Sequence, residues 1–185
     1  MQNAHFRPFG APLFHHTDPG KDTFVFMQNA EPISMYCADE TDGESLSVCQ
    51  QVVEPLLGYA IDSGNIESRL ATDCTGNSDA TVWTCQIRSG VKFHDGSSMD
   101  AEDVKFSLDR ARAEDSTNAQ KALFAGIASV DVIDATTVKI TLTSPNGGFV
   151  TNMAWGDAVI VAPESIGNAA TNPIGTGPFV FSNWV

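Results

Sequence analysis

The run Val82–Arg112, VWTCQIRSGVKFHDGSSMDAEDVKFSLDRAR, places a strand, a turn and a capped helix in one stretch. Trp83, Cys85 and Ile87 alternate with Thr84, Gln86 and Arg88, the period of two expected of a half-buried strand. Ser89-Gly90 interrupts it, and after Val91-Lys92-Phe93 the triplet His94-Asp95-Gly96 supplies residues that let the backbone reverse. Asp100 is placed to cap a helix, with Asp103 at the third helical position to complete a capping box and Met99 and Val104 at the two staple positions. Carboxylates in the first turn favour its positive end. Val104, Leu108 and Ala111 recur at helical spacing while Asp109, Arg110 and Arg112 stay polar, so one face should lie on a core.

Moving outward, residues 130–142 carry the pattern of a hairpin: Val130, Val132 and Ile133, then Asp134-Ala135-Thr136, then Val138, Ile140 and Leu142 in alternation. Upstream, Thr23–Gln28 has strand composition, and Ala30–Met35 should continue as extended chain because the residue before Pro32 disfavours helix. Thr41–Glu44 matches a capping box, and Leu46, Cys49, Val53 and Leu56 predict a helix running on toward Pro55. Asp62–Asn65 has turn composition. Ser116–Ala125 predicts a short helical or irregular segment, Phe149–Ala154 a short helix, and Val159–Val161 a buried strand ending at Pro163.

The bulk numbers bound the function. A chain of 185 residues with 42% hydrophobic content can bury a sizeable core in one domain. No run approaches the length of a membrane span. The net charge of −13 opposes a nucleic-acid or anionic-membrane partner, since both recruit basic patches. Residues 1–20 lack the basic start, long apolar stretch and cleavage site of a secretory signal and are expected as a loosely ordered leader. His15 and His16 would point to opposite sides of an extended segment, which gives little basis for a metal site there.

Cys37, Cys49, Cys74 and Cys85 contain no Cys-x-x-Cys pair, so zinc-ribbon and thioredoxin-like chemistry have little support. Four cysteines allow three pairings. Cys37 with Cys49 and Cys74 with Cys85 is preferred because each pair closes a short polar loop; four reduced thiols in a cytosolic protein is the alternative. The preferred pairing implies an oxidising compartment.

Catalytic patterns are missing: no Gly-x-Ser-x-Gly elbow, no His-Glu-x-x-His helix, and no Gly-Lys-Ser/Thr phosphate loop. His94 beside Asp95 could be drawn as a dyad, but the turn before Gly96 already explains both. The Gly175-Thr176-Gly177 run lacks the third glycine and following helix of a dinucleotide fingerprint. No cofactor, metal ligand set or catalytic residue is expected, and a hydrolase is the weakest reading.

The run WTCQIRSGVKFHDGSSMDAEDVKFSLDRA resembles the signature of the large extracytoplasmic solute-binding proteins of peptide and nickel ABC transporters, family 5. FVFMQNAEPISM, VCQQVVEPLLGYAIDSGNIESRLAT and NPIGTGPFVFSNWV resemble that family in the same order, so the likeness covers about residues 23–185. The resemblance implies a mixed α/β fold, a sheet with flanking helices, as the first lobe of a type II periplasmic-binding-protein fold. Residues 21–185 would form the N-terminal part of lobe one, without the second lobe that full members carry.

By the same resemblance, the segment after the first strand lines a ligand cleft, which nominates Glu31, Ile33 and Ser34; Glu31 as a plain solvent carboxylate is the competing reading. Trp155 is nominated as an aromatic platform, although tryptophan is more often core. The implied partners are a small-molecule or peptide ligand and an ABC transporter permease, in a periplasmic or extracellular setting, with membrane attachment only through a lipid anchor or the permease. An adhesive or signalling receptor lobe is the alternative class, distinguished by a partner that binds the ligand-free form.

Overall fold

The computed structural model describes residues 4–8 and 26–184. Its largest unit is a four-stranded antiparallel sheet assembled by two hairpins, with a helix laid across one face. In chain order the strands are β1 (Ala4–Pro8), β2 (Glu54–Pro55), β3 (Leu57–Tyr59), β4 (Ile66–Ser68), β5 (Ala71–Gly76), β6 (Val82–Ile87), β7 (Ile127–Asp134), β8 (Thr137–Leu142), β9 (Val159–Ile160) and β10 (Phe179–Trp184). The helices are α1 (Gly43–Cys49), α2 (Ala101–Arg112) and α3 (Phe149–Asn152), with 3-10 turns at Cys37–Asp39, Lys121–Phe124 and Pro163–Asn168.

The main sheet runs β5-β6-β8-β7, and smaller pairs join β1 to β10, β2 to β9 and β3 to β4. The period-two reading of β6 holds: Trp83, Cys85 and Ile87 are buried, and Gln86 and Arg88 are exposed. β6 is central, paired on one side with β5 and on the other with β8, so its buried face needs cover. α2 supplies it. Asp100 accepts from the Glu102 N–H at 2.8 Å, and Asp103 accepts from the Asp100 N–H at 2.8 Å, closing the expected box. Met99, Val104, Leu108 and Ala111 are buried in one cluster with Trp83, Phe93, Phe124, Val138 and Ile140. Ser107 also lies on the buried face, where its hydroxyl accepts from the Val161 N–H at 3.2 Å, so this polar group is satisfied by the chain just after β9.

A second cluster holds Met35, Cys37, Val48, Cys49, Val52, Val161 and Phe181 beneath α1. Both disulfides form as preferred. Cys37–Cys49 ties the first 3-10 turn to the last residue of α1, and Cys74–Cys85 joins directly opposed residues of β5 and β6. Each closes a short loop, so removing one by paired serine substitution should cost on the order of 3 kcal/mol. Chemical denaturation of each double-serine variant beside the parent measures that difference.

Several expectations are corrected. The helix predicted toward Pro55 ends at Cys49, and its cap is Asp42, which accepts from the Ser45 N–H at 2.8 Å, rather than Thr41. Past Cys49 the chain tightens into turns, with the Gln51 N–H on Val48 O and the Val52 N–H on Cys49 O, while the Gln51 and Val52 carbonyls accept from the N–H groups of Phe179 and Gly177 and Pro55 falls in β2. Phe26–Gln28 belong to no strand, and Thr23–Val25 lie outside the described residues, as do His15 and His16. Of residues 1–20, expected as a loose leader, Ala4–Pro8 pair antiparallel with β10. Ile133, in the same apolar run, is exposed, since strand alternation puts it on the face opposite Val130 and Val132. The 130–142 hairpin is otherwise as read, extended back to Ile127.

Candidate functional site

Glu31, Ile33 and Ser34 sit on the segment that enters the first 3-10 turn. Ser45, fully buried in the first turn of α1, fixes that segment: its hydroxyl accepts from the Ile33 N–H at 2.8 Å and the Ser34 N–H at 3.4 Å. Met35 N–H donates to Ala170 O at 2.8 Å, and the Cys37–Cys49 disulfide closes the loop behind it. The backbone of Ile33 and Ser34 is thus anchored on α1, and the chain goes under cover from Ser34 onward. Ile33 is 70% exposed, and Glu31 is exposed as well. Ser34 differs from these two: it is buried, and its hydroxyl accepts from the Tyr36 N–H at 3.1 Å, so it shapes the segment from within.

Trp155 comes from far along the chain but reaches the same helix. A side chain at the next residue, Gly156, would meet Gln50 Nε2 at 2.8 Å and Leu46 at 3.5 Å, so the backbone passes tight against α1. Trp155 itself is 45% exposed, contrary to the general preference of the type for the core. An exposed isoleucine and an exposed tryptophan therefore flank one short helix, on segments that hydrogen bonds and a disulfide hold in place.

Beside them lies a polar group that carries no signal in the sequence. Asp157 is only 4% exposed, its Oδ1 has no hydrogen-bond partner, and burial pushes its pKa up to about 6. Asn118 Nδ2 donates to Asp157 O at 3.1 Å, and the Ala119 N–H donates to Ala38 O at 2.7 Å, which draws the 116–120 loop in beside the first 3-10 turn. Tyr36 is in the same neighbourhood; burial, reinforced by Asp39, lifts its hydroxyl to about 12.

The raised pKa of Asp157 has a definite sign. The folded chain holds the proton more tightly than the unfolded chain, so the carboxylate lowers stability above about pH 6, and that penalty fades as pH falls toward 4. Asp157→Asn should raise the melting temperature at pH 7.5, by on the order of 1 kcal/mol of stability, and give no gain at pH 4. Melting curves across that range decide it.

The His94 and Asp95 side chains bind the loops around them. His94 Nε2 donates to Gly177 O at 2.9 Å, and Asp95 accepts from the Ser97 N–H and hydroxyl, bonds that hold its pKa below the usual carboxylate value. The two side chains bond to different loops. Among the described residues no group of three His, Cys, Asp or Glu is arranged to hold a metal.

This mixed α/β arrangement is that of periplasmic binding proteins. It superposes on AgaA of A. tumefaciens R10 in complex with agropinic acid with a TM-score of 0.78 and 29% identity, covering 84% of this chain and 32% of that one. DppA of Helicobacter pylori in complex with the peptide STSA gives 0.74 and 27%, covering 84% and 36%. The chain belongs to the bacterial extracellular solute-binding proteins, family 5, whose middle-region model matches residues 65–185. It is also 36% identical over 150 residues to a glutathione-binding protein, GsiB, of Pectobacterium atrosepticum, covering 79% of this chain and 29% of that protein. The chain therefore spans about a third of the length of these relatives. Proteins of this family are periplasmic or extracellular; they bind small solutes or peptides, work with permeases, and are binding proteins rather than enzymes.

Proposed function

We propose that this chain forms one wall of the substrate-binding component of an ABC transporter, which captures short peptides outside the cytoplasm by closure of two lobes and delivers them to a membrane permease. The observation that carries the reading is the pair of exposed apolar side chains, Ile33 and Trp155, held beside α1 with Glu31 next to them. Those segments are fixed before any ligand arrives, which lowers the ordering cost of binding. The glutathione-binding and peptide-bound relatives favour peptides as the solute class. An extended peptide suits such a wall, because its main chain supplies strand-like hydrogen bonds and its side chains enter permissive wet pockets.

Closure needs both walls. The isolated chain should therefore bind peptides weakly, with a Kd of about 1 mM or weaker. Calorimetric titration with short peptides and with glutathione tests this; tight, saturable heat release by the chain alone would contradict it, as would turnover of any of them.

A further inference from the structure

A concave region is formed by other parts of the chain. It is a cavity of about 440 Å³ lined by residues of β2, the β4–β5 connection, the segment after β6 and the loop before β10, and it shares no residue with Glu31, Ile33, Ser34 or Trp155. Three cations line it: Arg69, Arg88 and Lys92. In a chain with net charge −13, that concentration calls for a physical account.

The pairing of cations elsewhere sharpens the point. Among the described residues, Lys105, Arg110, Arg112 and Lys139 each pair with a carboxylate, and so does Arg69, whose Nη2 lies 2.6 Å from Glu67. Arg88, Lys92 and Lys121 pair with none of them, and two of those three line this cavity. The heads are also held in position. Arg88 donates through Nε at 3.2 Å and Nη2 at 2.9 Å to the Arg69 carbonyl, which leaves Nη1 outside that pair of bonds. Lys92 Nζ donates to Ser98 Oγ at 2.6 Å, leaving two of its three protons for another acceptor. Arg69 lies across Gly58, where any side chain would meet its Nε at 2.7 Å. The one carboxylate of the lining, Glu54, accepts from the Thr176 hydroxyl at 2.9 Å.

We infer that this cavity is a binding site for a small oxyanion, a carboxylate or phosphate group, received by Arg88 and Lys92 with Arg69 behind them. A guanidinium with a fixed plane and an adjacent ammonium suit an acceptor with several oxygens. Glu54 opposes the anion, so it sets an affinity that a neutral replacement should improve.

The test is titration of the 185-residue chain at low ionic strength with inorganic phosphate and, separately, with succinate, read by calorimetry and by backbone amide shifts. Saturation by either ligand, with shifts centred on residues 68–70, 88–92 and 176, supports the site; the ligand that binds tighter identifies which oxyanion it takes. Lys92→Gln and Arg88→Ala should each weaken binding about tenfold, Glu54→Gln should strengthen it, and Lys121→Ala should leave it unchanged. Lys92 carries the test if Arg88→Ala unfolds, because its recorded partner is the exposed Ser98. Failure of both ligands to saturate, equal binding by Lys92→Gln, or an equal loss in Lys121→Ala would overturn the proposal.

Discussion

Replacing Gly175 by alanine should destabilise the chain by about 3 kcal/mol or more, because a side chain there has nowhere to go. A Cβ on Gly175 would lie 2.1 Å from Val52 O and 2.7 Å from the Val53 side chain, and the obstacle is backbone, which cannot swing aside. The same loop donates from Gly177 N–H to Val52 O at 2.9 Å and accepts the His94 ring, so displacing it disturbs three segments together. Gly167→Ala is the matched control: nothing lies within 4 Å of a Cβ there, and the change should be within about 0.5 kcal/mol of neutral. Chemical denaturation of the two variants beside the parent gives both values. Near-equal stability of Gly175→Ala would show that the loop does not pass so close to residues 51–53.

The second large effect belongs to α2. Leu108 is 1% exposed and sits in the main cluster with Trp83, Phe93 and Ile140. Leu108→Ala should cost about 3 kcal/mol, which for a chain of this size lowers the melting temperature on the order of 10 °C. Alanine is the better helix former, so local propensity pulls in the opposite direction and the measured loss is a lower bound on the packing contribution. Glu102→Ala, on the exposed side of the same helix, should change stability by no more than about 0.5 kcal/mol. Equal effects at the two positions would mean that α2 does not lie on the sheet through the face described.

What could be read from sequence follows how local its cause is. The cap at Asp100, the turn at His94–Gly96 and the alternation of Trp83, Cys85 and Ile87 are set by neighbours within a few residues, and all three stand in the structure. The two disulfides were legible for the same reason, since each closes a loop of about a dozen residues. The end of α1 was not. Leu46, Cys49, Val53 and Leu56 keep a helical period, but residues 51–53 are drawn into contact with a loop more than a hundred residues away. β2 was missed in the same way, as a two-residue strand that exists only because β9 lies beside it.

The candidate site divides along that line too. Glu31, Ile33 and Ser34 were reached by likeness to a family, and the structure distinguishes among them: two present side chains outward, while Ser34 is turned in to brace the backbone. Trp155 joins Ile33 only through α1, a relation no spacing announces. Asp157 and Asn118 meet only once the chain is folded, so nothing near either residue marks them. Arg69, Arg88 and Lys92 are spread over two dozen residues, and nothing in their spacing marks their convergence on one cavity.

The proposed ligand wall, Glu31 to Tyr36 with Trp155 to Asp157, is tested most directly by amide shift mapping with a short peptide, which registers binding too weak for calorimetry. Fast-exchange shifts should concentrate in residues 31–36 and 155–157 and the Trp155 indole, sharply reduced in Ile33→Asp. Shifts confined to the β5–β8 sheet, or none at high peptide concentration, would contradict it.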